Sequence, residues 1–203
     1  MQLFKARPLP GGVASLIATA TVVAFSAGCK PATFHGTIYE PVERAPSVIL
    51  RQATGGQFSL ADQHGNVVLL FFGYTHCPDI CPTTLSDWKR VKKGLGRDAS
   101  RVRFVFISID PMRDDSATLH RYVSRFDPDF IAATGDSTTL ASIERSFHIT
   151  SSREDNGSAN GYSVGHPSQT FVVDKHGDLR MLYSFGIEAS DMVSDIRQLL
   201  RGE

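Results

Sequence analysis

The stretch "GYTHCPDICPTTL", residues 73–85, carries two of the chain's three cysteines. Pro78, Asp79 and Ile80 separate Cys77 from Cys81, whereas a common dithiol redox pair has two residues in the gap. If 77–81 forms one turn of helix, residues four apart share a face with Cα atoms about 6 Å apart. That lies within the disulfide range, toward its upper end. It suits two thiolates converging on one metal ion equally well. The extra residue keeps redox chemistry open and favours a chelating pair.

The elements that must position these thiols can be read from apolar patterning. "VVLLFFGY", 67–74, is almost wholly apolar and reads as a strand buried on both faces. The cysteines come next, followed by helical spacing at Leu85, Trp88, Val91 and Leu95 within 83–95. Upstream, "QFSLADQHGNVV" reads as a small hairpin turning at Asp62–Asn66. Downstream, 102–110 is a second buried strand. A helix follows over 114–126, capped by Asp114 or Asp115. A short strand at 130–136 precedes a helix at 137–147 capped by Ser137, and 150–166 reads as a polar loop. "SQTFVVD" and "LRMLYSF" form a hairpin across Lys175-His176-Gly177, and 188–200 is an amphipathic helix. The expected fold class is α/β, with a mixed central sheet flanked by helices and an N-terminal hairpin extension. The order β-α-β-α-β-α-β-β-α fits a thioredoxin-like fold. Cys77 then sits at the C-terminal end of a buried strand, where sites cluster in open α/β sheets. Cys81 lies near a helix N-terminus, whose partial positive charge favours a thiolate.

Two thiolates do not complete a metal site, so the seven histidines matter. His64 and His176 fall in expected turns, His120 and His148 on helical segments, and His35 in the lead-in. His76 adjoins Cys77, and neighbours along a turn point apart. His166 ends the long loop just before "SQTFVVD", a place that faces the cysteine end of the first helix in a thioredoxin-like fold. Spacing alone leaves it either a third ligand or an ordinary loop histidine.

Composition sets outer bounds. At 203 residues, 41% hydrophobic and 21% charged, the chain suits one domain with a real core. Lysine plus arginine and aspartate plus glutamate both number 21, which leaves no basic footprint for nucleic acid. Lys5 and Arg7 open a basic start, and a weakly apolar run closes on Ser26-Ala27-Gly28-Cys29. Residues 1–28 read as a signal peptide of lipoprotein type, which makes Cys29 a lipidated N-terminus. The usual pattern has leucine where Ser26 stands, and an uncleaved N-terminal anchor is the alternative. Either route exports the chain to a bacterial membrane, facing the periplasm or cell exterior, where a cysteine pair can persist oxidised. Residues 29–46 read as a tether, and one domain runs over 47–203.

Three blocks resemble the Sco/SenC family of copper-binding, thioredoxin-like proteins. They are "FFGYTHCPDICPTTL", "VFISIDPMRDDSATLHRYVSRFDPDFIAATGD" and "YSVGHPSQTFVVD", in the family's order. The resemblance implies that Cys77, Cys81 and His166 bind one copper ion. Soft thiolates select Cu(I), and an imidazole keeps Cu(II) accessible. It also implies a role in assembling cytochrome c oxidase, by delivering copper to subunit II or reducing its cysteines. Gly165 stands where the family usually has aspartate, and Pro167 is also less usual. Asp79 fits the motif, either as a group that tunes the metal from behind its ligands or as a residue favoured in a first helical turn. A metal-independent thiol-disulfide oxidoreductase using Cys77 and Cys81 is the alternative. A peroxidase on the same scaffold is a third reading, but nothing singles out one peroxidatic cysteine.

Overall fold

The computed structural model describes residues 33–155, 157 and 161–202, together with Gln2. One compact unit spans Ala32–Glu203. The segment read as a signal peptide, with Cys29, lies outside the described residues. No helix among the described residues is long and apolar enough to cross a membrane.

The chain runs β1 (Thr37–Arg44), β2 (Ile49–Gln52), β3 (Gln57–Ser59), β4 (Val67–Gly73) and α1 (Ile80–Leu95). Then come β5 (Val102–Ser108), α2 (Ser116–Val123), β6 (Ile131–Thr134), α3 (Ser137–Ser146), β7 (Ser152–Asp155) and β8 (Tyr162–Gly165). It closes with β9 (Thr170–Val173), β10 (Asp178–Tyr183) and α4 (Ala189–Arg201). Eight strands form one sheet in the order β1-β10-β9-β4-β5-β6-β2-β3. β4, β5 and β6 are parallel, and β9 lies antiparallel to β4. This is the mixed sheet flanked by helices that the order of elements leads one to expect.

β4 sits at the centre because every one of its side chains is apolar and buried. Its residues alternate between two cores, as period-two geometry requires. Val67, Leu69 and Phe71 pack with α1, α2 and α4, around Trp88, Leu119 and Ile196. Val68, Leu70 and Phe72 pack with α3 and the N-terminal hairpin, around Leu140, Phe58 and Leu50. A strand held on both faces and both edges fixes its C-terminal end, where the cysteines begin.

Five expectations are corrected. The N-terminal hairpin pairs β2 with β3 rather than turning at Asp62–Asn66, where a short 3-10 turn stands instead. β4 has no free edge for β3, since β5 and β9 flank it. The hairpin turns at Gly55 and Gly56, whose φ of 96° and 78° suit glycine. Part of the expected tether is strand β1, which adds to the sheet edge along β10. α1 begins at Ile80 rather than 83, since Pro82 is tolerated in a first turn, where its missing N–H has no partner to lose. The cap of α3 is Asp136, which accepts from Thr139 N, and not Ser137. The polar loop at 150–166 contains the separate antiparallel ribbon β7–β8.

Candidate metal centre

Gly73, the last residue of β4, makes room for the site. A Cβ built there would stand 2.6 Å from Cys81 Sγ. Only a residue without a side chain lets that sulfur lie against the strand end. Cys81, the second residue of α1, is fully buried there. Cys77 lies in the turn before the helix, half-buried, with its N–H 3.3 Å from Tyr74 O.

The turn is held by Asp114, which is 1% exposed. Its carboxylate accepts from Thr75 N at 2.9 Å, Thr75 Oγ1 at 2.6 Å and Ser108 Oγ at 2.6 Å. Asp115, not Asp114, caps α2 through Thr118 N. Two adjacent aspartates thus divide their work, one on the helix and one on the cysteine turn.

The two thiols have opposite tendencies. Cys77 is lowered far below the ordinary thiol range, to about 3. The first cause is a hydrogen bond from the Cys81 thiol, followed by the His166 ring and the backbone N–H groups of Cys81 and Asp79. The Cys81 N–H lies 3.4 Å from Cys77 Sγ. Cys81 is raised, first by burial and then by its bond to Cys77 and the charge on that sulfur. The pair therefore keeps one proton, on Cys81, and one thiolate, on Cys77. Asp79 takes part through its backbone. Its side chain makes no capping bond, and the residue is exposed.

His166 follows β8 directly and completes the group. Its Nε2 lies 3.5 Å from Cys81 Sγ. Its Nδ1 lies 2.9 Å from Pro167 O. A carbonyl can only accept, so Nδ1 donates to Pro167 O, and that bond orients the ring with Nε2 facing the sulfurs. Phe71 and Tyr74 pack edge-on to the ring, with centroids 5.7 Å and 5.6 Å away. The three ligand atoms all lie within 4.8 Å of one another. An ion bound roughly 2.2 Å from each of three ligands needs them about 4 Å apart, so these residues fit one metal.

Among the described residues, the other histidines stand apart from this group. His35 meets buried Asp195 on α4, with Nδ1 2.8 Å from Oδ1, and His76 faces Thr75 and Asp114 from outside. At Gly165 a Cβ would meet Ser152 Oγ at 2.8 Å and Glu154 Oε1 at 3.6 Å, so β7 occupies the direction a side chain would take. The His166–Pro167 peptide is trans, the cis bond among the described residues being Glu40–Pro41. Sequence reasoning missed Gly73, Thr75 and Asp114. Their signal was the abrupt appearance of glycine at the end of an all-apolar run and of paired aspartates before a helix.

The SCO1/SenC family model matches residues 46–201. A SCO2-like protein of Rickettsia prowazekii is 33% identical over 161 residues, covering 73% of this chain and 76% of that protein. The mitochondrial SCO2 homolog of Mus musculus is 35% identical over 163 residues, covering 73% and 64%. Among solved structures, apo Sco1 of Thermus thermophilus aligns at TM-score 0.73 with 33% identity, over 82% of this chain and 97% of that one. Copper-bound ScoI of Bradyrhizobium japonicum aligns at 0.71 with 29% identity, over 77% and 99%. Two thiols and an imidazole gathered at the end of β4, on a thioredoxin-like sheet and across a match of this extent, place the chain in the SCO1/SenC family.

Proposed function

We propose that this chain is an exported, membrane-anchored copper-binding protein that helps assemble the copper site of cytochrome c oxidase subunit II. It delivers copper, reduces the receiving thiols, or does both. The observation that carries this reading is the gathering of Cys77, Cys81 and His166 within 4.8 Å. Thiolate sulfurs select Cu(I), and one neutral imidazole adds a third ligand without further charge. Relatives add support, since solved structures of ScoI from two organisms hold copper. Binding needs deprotonated thiols, and Cys77 is already a thiolate.

The oxidoreductase reading has its own support in the same pair. A stabilised, half-exposed thiolate next to a buried protonated thiol is the asymmetry that thiol–disulfide exchange uses. The two readings separate at His166, which exchange does not need. Anaerobic copper titration of the reduced protein tests them. We expect one ion per chain, and a His166→Ala variant that loses Cu(II) binding more than Cu(I), because Cu(I) accepts two-coordinate thiolate ligation. An unchanged Cu(II) affinity and spectrum in His166→Ala would move the oxidoreductase reading ahead.

Export and anchoring are supported by Lys5 and Arg7, the apolar run and the small residues before Cys29. Lipid on the Cys29 sulfur is the anchor in this reading. Mass spectrometry of membrane-extracted protein tests it. An unmodified Cys29 thiol or an intact Met1 peptide would refute it.

A further inference from the structure

The ribbon β7–β8 carries His166 but belongs to no larger sheet. All four residues of β7 are exposed. No ladder to the main sheet sets where His166 stands, so something else must hold the ribbon against the body of the protein. Along β8, alternate residues Tyr162 and Val164 share a face. Val164 is 8% exposed and packs into the core, and its backbone bonds the Tyr74 hydroxyl.

Tyr162 is held more elaborately. Its hydroxyl donates to Asp110 Oδ1 at 2.7 Å, and Asp110 is 4% exposed. The Arg113 guanidinium carbon lies 3.5 Å from the Tyr162 ring centroid, and that of Arg153 lies 3.7 Å from it. One face of a ring has room for one guanidinium at this distance, so the two cations sandwich the ring. Arg153 comes from β7, where it pairs with Val164 and so stands diagonal to Tyr162. Arg113 comes from the body of the protein. It also donates from Nη1 to Tyr162 O at 2.9 Å and from Nε to Asp110 Oδ2 at 2.5 Å. The Asp110–Arg113–Tyr162 triangle is thus closed on every side.

The placement gives the triangle a purpose. Arg113 adjoins Asp114, and Asp114 fixes Thr75 two residues before Cys77. Two neighbouring residues of one short turn therefore hold the two halves of the metal group. Asp114 grips the cysteine turn, and Arg113 grips the strand that leads into His166. We propose that Tyr162, clamped between Arg113 and Arg153, is the positioning residue that sets His166 over the cysteine pair. This rests on the metal-centre reading and deepens it. The clamp keeps the third ligand in place before any ion arrives, so capture needs little rearrangement.

The test uses the reduced full chain without metal first. Tyr162→Phe keeps the ring between the guanidiniums and removes the bond to Asp110. Tyr162→Leu removes both, and Arg113→Lys keeps the charge but not the planar fork. NMR reads the proximity of the His166 ring to Phe71 and Tyr74, and amide exchange reads the ribbon 152–165. We expect Tyr162→Leu to lose the ring proximity and to raise ribbon exchange at least tenfold, with exchange in β4 and β5 unchanged. Tyr162→Phe should keep the proximity, and Arg113→Lys should fall between. With copper added, Tyr162→Leu should lose about tenfold in Cu(II) affinity and less in Cu(I). Unchanged proximity and exchange in Tyr162→Leu would overturn the proposal. If Tyr162→Leu does not fold, unchanged exchange in Arg113→Lys overturns it instead. A wild-type protein that ignores copper but shows the expected metal-free differences would leave the clamp standing and refute the metal reading alone.

Discussion

The backbone N–H of Cys81 points at the sulfur of Cys77, 3.4 Å away, from the first turn of α1. This is where the spacing of the motif becomes chemistry. Cys81 stands inside the helix and Cys77 before it, so the N–H and the thiol of the second cysteine both serve the first. The free N–H groups at the helix start add partial positive charge at that sulfur.

Cys77 should therefore behave as a thiolate over a wide pH range. An ordinary thiol has a pKa of about 8.5 and loses nearly tenfold in alkylation rate per pH unit below it. Cys77 is lowered to about 3, so its thiolate fraction stays near one from pH 8 down through pH 5 and falls only on approach to that value. Iodoacetamide should modify Cys77 in reduced, metal-free protein at nearly the same rate at pH 8 and pH 5. Cys81, raised by burial and by the neighbouring charge, should stay unmodified through pH 9. A tenfold drop in the Cys77 rate from pH 8 to pH 7 would contradict the shift.

Gly73→Ala should disturb the site without touching a ligand. The added Cβ would meet Cys81 Sγ at 2.6 Å and ring atoms of Phe106 and Phe71 at 2.9 Å. Phe71 in turn packs edge-on to His166. Overpacking of this kind costs about 1–3 kcal/mol, and here it pushes on two of the three ligand-bearing contacts. We expect a stability loss of that size by denaturant unfolding, together with weakened copper binding. A variant with wild-type stability and affinity would show that the strand end has slack the packing does not reveal.

Asp114→Ala should be among the more damaging single changes outside the ligands. It removes the acceptor for Thr75 N, Thr75 Oγ1 and Ser108 Oγ in a buried place. Stranded donors of this kind cost about 1–3 kcal/mol each, with water entry relieving part of the sum. A loss of about 3 kcal/mol is expected. Cys77 should also lose its fixed position, visible as a changed alkylation rate in the protein that remains folded. Asp115→Ala, which removes only an exposed helix cap, should cost distinctly less than Asp114→Ala.

Much of this architecture was legible in the order and periodicity of apolar residues. β4 announced itself because nothing polar interrupts 67–72, and the helices because Leu85, Trp88, Val91 and Leu95 fall on one stripe. Pairing was harder to read. β1 lies in "KPATFHGTIYEPVERAP", whose prolines and charges suit an edge strand as well as a tether, and only β10 decides between them. β7 is polar for the same reason, since all four of its residues are exposed, and β8 sends only Val164 fully into the core. Of the site, the cysteines were legible from local spacing. His166 was not, because 85 residues separate it from Cys81 and no periodicity crosses that distance. Its place at the end of the long loop made it a candidate, and the resemblance of whole blocks decided between ligand and loop histidine. Gly73, Asp114 and Tyr162 act through packing and hydrogen bonds whose partners a linear reading cannot see.

Metal and disulfide should exclude one another at this site. The same two sulfurs serve both, and a metal ligand must be a thiolate while a disulfide has none. The two sulfurs lie within 4.8 Å of one another, so a small side-chain movement brings them to bonding distance. Closing a loop of about five residues limits the unfolded chain modestly, by about 2 kcal/mol in the entropic account. Oxidised protein should therefore unfold slightly later than reduced protein. It should weigh two hydrogens less, with the loss mapped to the peptide holding Cys77 and Cys81, and it should take up no copper until a reductant is added. Copper-loaded protein should conversely resist oxidation of the pair, because the Cys77 thiolate is engaged and Cys81 is buried. Copper bound with equal affinity by the oxidised form would place the ion on other groups, and the assignment of Cys77 and Cys81 as its ligands would fall.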